Sequence, residues 1–330
     1  RPVDRGRVLG QAGHDSTDGP GAGNISILRM AMTPLGGQRT PQWPLFWVLT
    51  APENERSRCM EILTAWGSVV PPDSLIFLGS EMNWTTRGGH RFIALPAPPE
   101  KKSQKELLAW RYVVENYPER EWFVKGDDDT FFVVGNLNHY LEEYDPRLPY
   151  YLGCKFHLGG IGGVQYVSGG AGYVLSAVAA KKMAQVTDGC LHDYGNLSAG
   201  DLAVAECLQL VGVTPEDTRD ERGRQRFHAF PFDYHRNWYN FGFHLQHFWY
   251  HDWVWGPEIE GSGCCGENST VSFHYMSSKM GAFAWPPKPG AASMSPFVSV
   301  PQLPSLPSMP GGLPAGLPGS QFKPPLDTLG

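Results

Sequence analysis

Three aspartates in succession, Asp127-Asp128-Asp129, close an apolar run that begins at Trp122, and an aromatic run, Phe131-Phe132-Val133-Val134, resumes just past Thr130. Aspartate is a poor strand former and adjacent carboxylates repel one another, so a buried strand ending in this triplet needs a compensating cation. A divalent metal is the obvious one. Hard Mg²⁺ or Mn²⁺ favours oxygen ligands and commonly binds through one or two carboxylates plus a ligand's phosphates. A solvated acidic turn is the plainer alternative; apolar flanks on both sides argue for a site.

The rest of the composition narrows the partners. A net charge of −6 with no Lys/Arg-rich run excludes polyanion binding by charge alone and argues against a nucleic-acid partner. An acidic protein still binds a nucleotide diphosphate when a metal supplies the positive charge. Six cysteines in 330 residues are too few for a disulfide scaffold and not spaced as a zinc site, but suffice for two or three bridges. Cys264 and Cys265 are adjacent, and neighbours rarely bridge each other, so each is expected to find a distant partner. Asn-x-Ser/Thr acceptor sites start at Asn24, Asn83, Asn196 and Asn268. Together with candidate bridges they point to the secretory lumen. No run approaches the roughly 20 apolar residues that cross a bilayer. The chain opens at Arg1 without a Met or signal-like apolar core, so it reads as a fragment or processed form, with any membrane anchor missing from this sequence.

Along the chain, residues 1–43 are rich in Gly, Pro, Arg and Ser and read as a disordered stem, residues 44–284 as one α/β domain, and residues 285–330, dominated by Pro, Gly, Ser and Leu, as a disordered tail. The Pro-x-x-Pro spacings of the tail fit a partner ligand less well than a structureless segment. Within the domain, Pro44–Thr50 reads as a strand, Arg56–Trp66 as a helix and Ser74–Leu78 as a second strand, an order that suggests a parallel sheet. Lys102–Tyr117 reads as a helix stopped by Pro118. Trp122–Val124 follows as a strand that delivers the aspartates to its C-terminal end, where ligands bind in open α/β sheets. Asn136–Tyr144 reads as a short helix and Tyr150–Gly153 as a strand.

Four further blocks carry chemistry. Tyr166–Ser176 is a glycine-rich turn opening onto a helix that runs through Lys181 and Met183; glycine clusters let backbone approach a ligand closely. Asp201 sits at the start of a helix reaching Val211, where a carboxylate is equally at home as a helix-start charge. Phe248-Trp249-Tyr250 lies in an aromatic-dense loop, suited either to stacking on a sugar or to the core. Val271–Tyr275 reads as a short strand carrying His274, a metal ligand or a satisfied core histidine.

Read jointly, Trp122-Phe123-Val124-Lys125-Gly126-Asp127-Asp128-Asp129-Thr130, Ser168-Gly169-Gly170-Ala171-Gly172-Tyr173, Arg219-Asp220 with Gly223 and Phe227-His228, Phe248-Trp249-Tyr250, Gly261-Ser262-Gly263-Cys264-Cys265 and Ser272-Phe273-His274-Tyr275 occur in the order of one family. Over residues 44–276 the chain resembles the core 1 β1,3-galactosyltransferase branch of glycosyltransferase family 31. The resemblance implies a GT-A fold, a single Rossmann-like α/β domain with a mixed central sheet, holding UDP-galactose through Mn²⁺. It implies Asp129 and His274 as metal ligands, Asp127 and Asp128 near the metal and ribose, and Thr50 and Pro52 on the uridine side. Asp201 matches the general base, Trp249 and Tyr275 the wall that holds N-acetylgalactosamine on a Ser/Thr glycoprotein acceptor, and Cys190 with Cys207 a bridge. It further implies a type II Golgi membrane protein acting in the lumen, and a homodimer is compatible with it.

Three departures stand out. Gly200 replaces the family's Glu before the base, removing a charge that could raise or position Asp201. The Phe230–Trp249 loop differs, and the segment after Tyr275 is replaced by Met276-Ser277-Ser278 and the Pro-rich tail. Other readings are a family 31 transferase of different donor or acceptor, such as a Fringe-like N-acetylglucosaminyltransferase, a catalytically weak paralogue serving as chaperone for a sibling enzyme, and a plain lectin.

Overall fold

The computed structural model describes residues 42–98, 100–158, 163–236, 250, 253–256 and 263–286. The chain divides into two units, residues 1–40 and 41–330, and the second holds all the described residues. The expected stem and tail lie almost wholly outside them, as does Trp249.

A seven-stranded sheet organises the domain. Its strands are β1 (Leu45–Leu49), β2 (Leu75–Ser80), β3 (Trp84–Thr85), β4 (Arg91–Ala94), β5 (Trp122–Asp127), β7 (Tyr151–Gly153) and β10 (Tyr173–Ser176), in the spatial order β3-β4-β2-β1-β5-β10-β7. β4, β2, β1 and β5 run parallel, while β3 on one edge and β10 beside β5 run antiparallel to their neighbours. The mixed α/β sheet expected of the GT-A resemblance is therefore the one observed. A second sheet joins β6 (Phe131–Phe132), β11 (Phe227–His228) and β12 (Ser272–Phe273) in the order β11-β12-β6, and β8 (Lys155–Leu158) pairs with β9 (Val164–Val167).

Alternation along β1 explains the continuous apolar run. Leu45 and Trp47 enter one core with Leu107, Trp110 and Val113 of helix α2 (Lys102–Asn116), Met183 of α4 (Ala177–Tyr194) and Val204 and Leu208 of α5 (Gly200–Leu210). Phe46 and Val48 enter the other, with Ile62 of α1 (Met60–Thr64), Leu137 of α3 (Val134–Leu141), Tyr234 of α6 (Phe232–Arg236) and the second sheet. Strands covered on both faces lose the polar alternation of a one-sided sheet. Trp43 and Trp285, at the two ends of the described residues, pack on the second core.

Register places the site. β1 and β5 pair Leu49 with Asp127, which sets Thr50 alongside Asp128. β6 and β12 pair Phe131 with Phe273, so His274 emerges beside the aspartate turn, and the Met276 amide donates to the Asp129 carbonyl at 2.9 Å.

Several local readings change. The Arg56–Trp66 helix is broken into a wide turn at Glu55–Cys59, α1 and a tight turn at Trp66–Val69. The glycine turn does not open directly onto a helix: Tyr173–Ser176 forms β10 first, and Ser176 caps α4 by accepting from the Ala179 amide. Cys190–Cys207 ties α4 to α5 as the resemblance implied. Cys264 and Cys265, in contrast, are joined to each other at a bend of the chain and not to distant partners. Cys59 and Cys154 are buried thiols. Asn83, Asn196 and Asn268 are all exposed. Among the described residues no helix is long and apolar enough to cross a membrane.

Candidate active site

The three aspartates face three different environments. Asp128 is buried and turned toward the loop after β1, where its Oδ2 accepts from Thr50 Oγ1 at 2.8 Å and Asn54 Nδ2 at 2.9 Å and its Oδ1 from Arg58 at 2.9 Å. Burial outweighs these bonds and raises its pKa. Pro52 opens the turn Pro52–Asn54 that presents Asn54, its fixed φ suiting the first position of a helical turn. Lys105 of α2 is buried beside the same loop, and a Cβ on Gly79 would stand 2.4 Å from its Cε and from the Thr50 carbonyl oxygen. Gly79 holds φ +106, so backbone conformation and space both call for glycine there.

Asp127 and Asp129 face the other way and meet His274. One ligand atom from each of the three lies within 4.8 Å of the others, and His274 Nε2 stands 3.3 Å from Asp129 Oδ1. Burial alone would raise the Asp129 pKa, but the His274 imidazole beside it, with Arg58 at 3.8 Å, pulls it below the ordinary value. His274 is driven down by burial and up by Asp129, and the net shift is upward. Two carboxylates and one imidazole suit a hard or borderline divalent ion and leave positions for phosphate oxygens. The ring of His274 lies against Tyr275, centroids 3.7 Å apart, and Tyr275 holds φ +56. A non-glycine residue in that region costs on the order of 1–3 kcal/mol and persists where its surroundings fix it.

The glycine turn between β9 and β10 makes room for these groups. A Cβ on Gly170 would overlap the His274 ring at 1.9 Å from Cε1, and one on Gly169 would press on Asp201 and Lys125 at 3.2–3.3 Å. Thr130 locks the two turns together: its Oγ1 accepts from the Asp127 amide and donates to the Gly170 carbonyl, both at 2.8 Å. Asp201, near the N-terminus of α5, accepts from the Gly169 amide at 2.9 Å through Oδ2 and from the Leu202 amide at 2.9 Å through Oδ1. Loss of water around it raises its pKa above that of an ordinary aspartate in spite of these bonds.

A buried lysine joins the two halves. Lys125 on β5 points its ammonium at Asp127 Oδ1 (2.6 Å), the Gly169 carbonyl (3.2 Å) and Glu106 Oε1 (3.7 Å). Burial would lower its pKa, yet Asp127 and Glu106 reverse the shift upward. Such an ion in a dry interior costs several kcal/mol unless paired, and removing one partner of a buried pair costs about 3–5 kcal/mol. Glu106 on α2 accepts from Tyr173 Oη at 2.7 Å, and Tyr173 accepts from Trp110 Nε1 at 2.8 Å. Burial pushes the Glu106 carboxyl up to about 7 against the pull of Lys125.

The structure thus brings together Thr50, Asp127, Asp128, Asp129, Asp201, His274 and Tyr275, with Pro52 shaping the loop beside them. Tyr250 of the aromatic block is fully buried against Phe156 and Phe230, a core residue and not a sugar platform. Asn54, Arg58, Lys105 and Glu106 carry no signal of their own in the sequence, and Lys125 appears there only within the motif that ends in the aspartates.

Comparison with known proteins gives the geometry its context. The chain is 32% identical over 238 residues to glycoprotein-N-acetylgalactosamine 3-beta-galactosyltransferase 1 of Xenopus laevis, covering 71% of this chain and 62% of that protein. It is 28% identical over 138 residues to the beta-1,3-glucosyltransferase of Mus musculus, covering 39% of this chain and 28% of that one. The chain therefore spans less than two thirds of the length of either relative. Among solved structures, the glycosyltransferase GlyE of Streptococcus pneumoniae aligns with a TM-score of 0.39 at 14% identity, over 72% of this chain and 56% of that one. A family model described as Fringe-like matches residues 45–218, more than half of the sequence, and the chain belongs to that family.

Proposed function

We propose that this chain transfers galactose from UDP-galactose to the 3-hydroxyl of N-acetylgalactosamine on serine or threonine of a glycoprotein, with inversion at the anomeric carbon. The observation that carries the reading is the convergence of Asp127, Asp129 and His274 beside the glycine turn on which Asp201 leans. Similarity to the Xenopus laevis galactosyltransferase supports the choice of sugar and acceptor. Asp127, Asp129 and His274 would hold Mn²⁺, and when bound that ion supplies Lewis-acid charge at the departing diphosphate.

The remaining steps fall to the chain's own groups. Thr50, Asn54 and Arg58 fix Asp128 with a lone pair left for a ribose hydroxyl of the donor. Arg58, between Asp128 and Asp129, adds positive charge where the diphosphate would lie. Asp201 takes the proton of the acceptor 3-hydroxyl as that oxygen bonds to the anomeric carbon and the carbon–oxygen bond to UDP breaks. Its raised pKa suits a base better than an ordinary aspartate. Tyr275, set against His274, would line the acceptor side, and the family resemblance assigns Trp249 to the same role. The exposed acceptor asparagines and the Cys190–Cys207 bridge favour action in the secretory lumen, with the Golgi and a type II anchor outside this sequence as the proposed setting.

The test is UDP release from UDP-galactose with a GalNAc-Ser/Thr glycopeptide. Release is expected to need both acceptor and Mn²⁺ and to stop on chelation. Preference for UDP-N-acetylglucosamine would move the chain to the Fringe-like activity, and UDP binding without transfer to a chaperone role. Trp249→Ala is expected to raise the acceptor KM by about fivefold while UDP affinity holds, because stacking on an aromatic face contributes of order 1 kcal/mol to holding a ligand. Equal loss of both would make Trp249 a core residue.

A further inference from the structure

Gly200 stands next to Asp201 in a helix, where a side chain would ordinarily be favoured. The space its side chain would fill is already taken. A Cβ built there would lie 2.1 Å from Glu106 Oε2, far inside van der Waals contact, and 3.2 Å from Glu106 Cβ, tighter than an ordinary contact. α2 therefore delivers a buried carboxylate to the spot that a residue on α5 would otherwise reach. That carboxylate is the middle link of a chain of contacts running Trp110, Tyr173, Glu106, Lys125 and Asp127, and Lys125 also holds the carbonyl of Gly169, whose amide holds Asp201.

We propose that Glu106 is a positioning residue of the site, a carboxylate relocated from α5 to α2: seated in the space Gly200 leaves open, it shares the Lys125 ammonium with Asp127 and, through that ammonium, helps fix the Gly169 turn. The absence of a carboxylate at position 200 is then no loss of charge at the base. With Glu106 neutral, Asp127 is the sole carboxylate in contact with Lys125 among the described residues, and a divalent ion must displace a more tightly held ammonium to reach it. With a side chain at position 200, the Glu106 carboxylate is pushed away from Lys125 to the same effect. This rests on the reading of Asp127, Asp129 and His274 as a metal site.

The experiment measures Mn²⁺ affinity in the presence of UDP by calorimetry, in mildly alkaline buffer where Glu106 is ionised, beside the thermal melting midpoint. Four proteins enter: the native chain, Glu106→Gln, Gly200→Glu, and the double variant Glu106→Ala/Gly200→Glu. Glu106→Gln is expected to weaken Mn²⁺ binding about tenfold or more while melting stays cooperative, the range found when a group that orients a metal ligand is lost. Gly200→Glu is expected to lose at least as much, because two carboxylates compete for one space. The double variant is expected to recover about tenfold over Gly200→Glu, since the carboxylate then returns from α5. A purely packing role for Glu106 would move the melting midpoint in Glu106→Gln and leave Mn²⁺ affinity alone. Glu106→Gln binding Mn²⁺ as the native chain does, or a double variant no better than Gly200→Glu, overturns the proposal. If Glu106→Gln does not fold, Gly200→Ala probes the same contact from the other helix, and unchanged Mn²⁺ affinity there overturns it as well. A native chain that binds neither Mn²⁺ nor UDP refutes the metal-site reading, and this proposal falls with it; native binding with insensitive variants refutes this proposal alone.

Discussion

Asp201→Asn is expected to cut glycopeptide galactosylation about 10²- to 10⁴-fold, the range for losing a positioned general base, with UDP and Mn²⁺ affinity little changed. The carboxylate spends one lone pair of each oxygen on an amide, from Gly169 and from Leu202, so each oxygen keeps another for an acceptor proton. An asparagine keeps the shape and one of the two amide bonds but sets its own N–H against the other, so a modest loss of stability accompanies the loss of basicity. pH gives an independent reading. Burial raises the pKa of Asp201, and the base acts only when deprotonated, so native transfer falls on acidification at a higher pH than an ordinary aspartate would dictate. UDP binding does not share that limb if Asp201 touches only the acceptor. Native-rate transfer by Asp201→Asn would place the base elsewhere.

What could be read in the sequence follows from how local each determinant is. α2 was legible nearly to the residue, because its apolar spacing and the stop at Pro118 are local signals. Sequence pattern carries the strand through Trp122 only to Val124, yet it runs to Asp127 because Lys125 is neutralised by Asp127 and by Glu106 from a separate helix, a pairing no local pattern announces. β10 was hidden because Tyr173–Ser176 is short and follows a glycine turn, so it read as a helix start; its strand character comes from pairing with both β5 and β7. In sequence only a family resemblance links Asp129 with His274, since the register that joins them, Phe131 with Phe273, spans more than half the domain. In sequence alone Gly200 stands for a charge removed. Only the packing of α2 against α5 reveals that a carboxylate already occupies that space.

Gly170→Ala, the addition of one methyl group, is expected to lose Mn²⁺-dependent UDP binding as completely as His274→Ala does. In His274→Ala one of the three groups proposed to hold the metal is gone, which should exceed the roughly 10- to 100-fold cost of losing a mere outer partner of a ligand. In Gly170→Ala the imidazole is still present but cannot stay. The new Cβ would lie 1.9 Å from Cε1, 2.1 Å from Nε2 and 2.3 Å from Nδ1, and every one of these is inside the closest approach real atoms show. The ring cannot slide back, because Tyr275 is packed against it at 3.7 Å and is itself held at φ +56. It must swing away from Asp129, or the turn must move and take the Gly170 carbonyl off Thr130 and the Gly169 amide off Asp201. Either movement breaks the three-ligand set while leaving both cores untouched, so the melting transition should persist. Gly135→Ala and Gly189→Ala, in α3 and α4 with nothing within 4 Å of the added carbon, are the matched controls and should bind as the native chain does. A folded Gly170→Ala with native UDP and Mn²⁺ affinity would show that His274 does not work from the place it occupies here, and the metal site would have to be rebuilt around the aspartates alone.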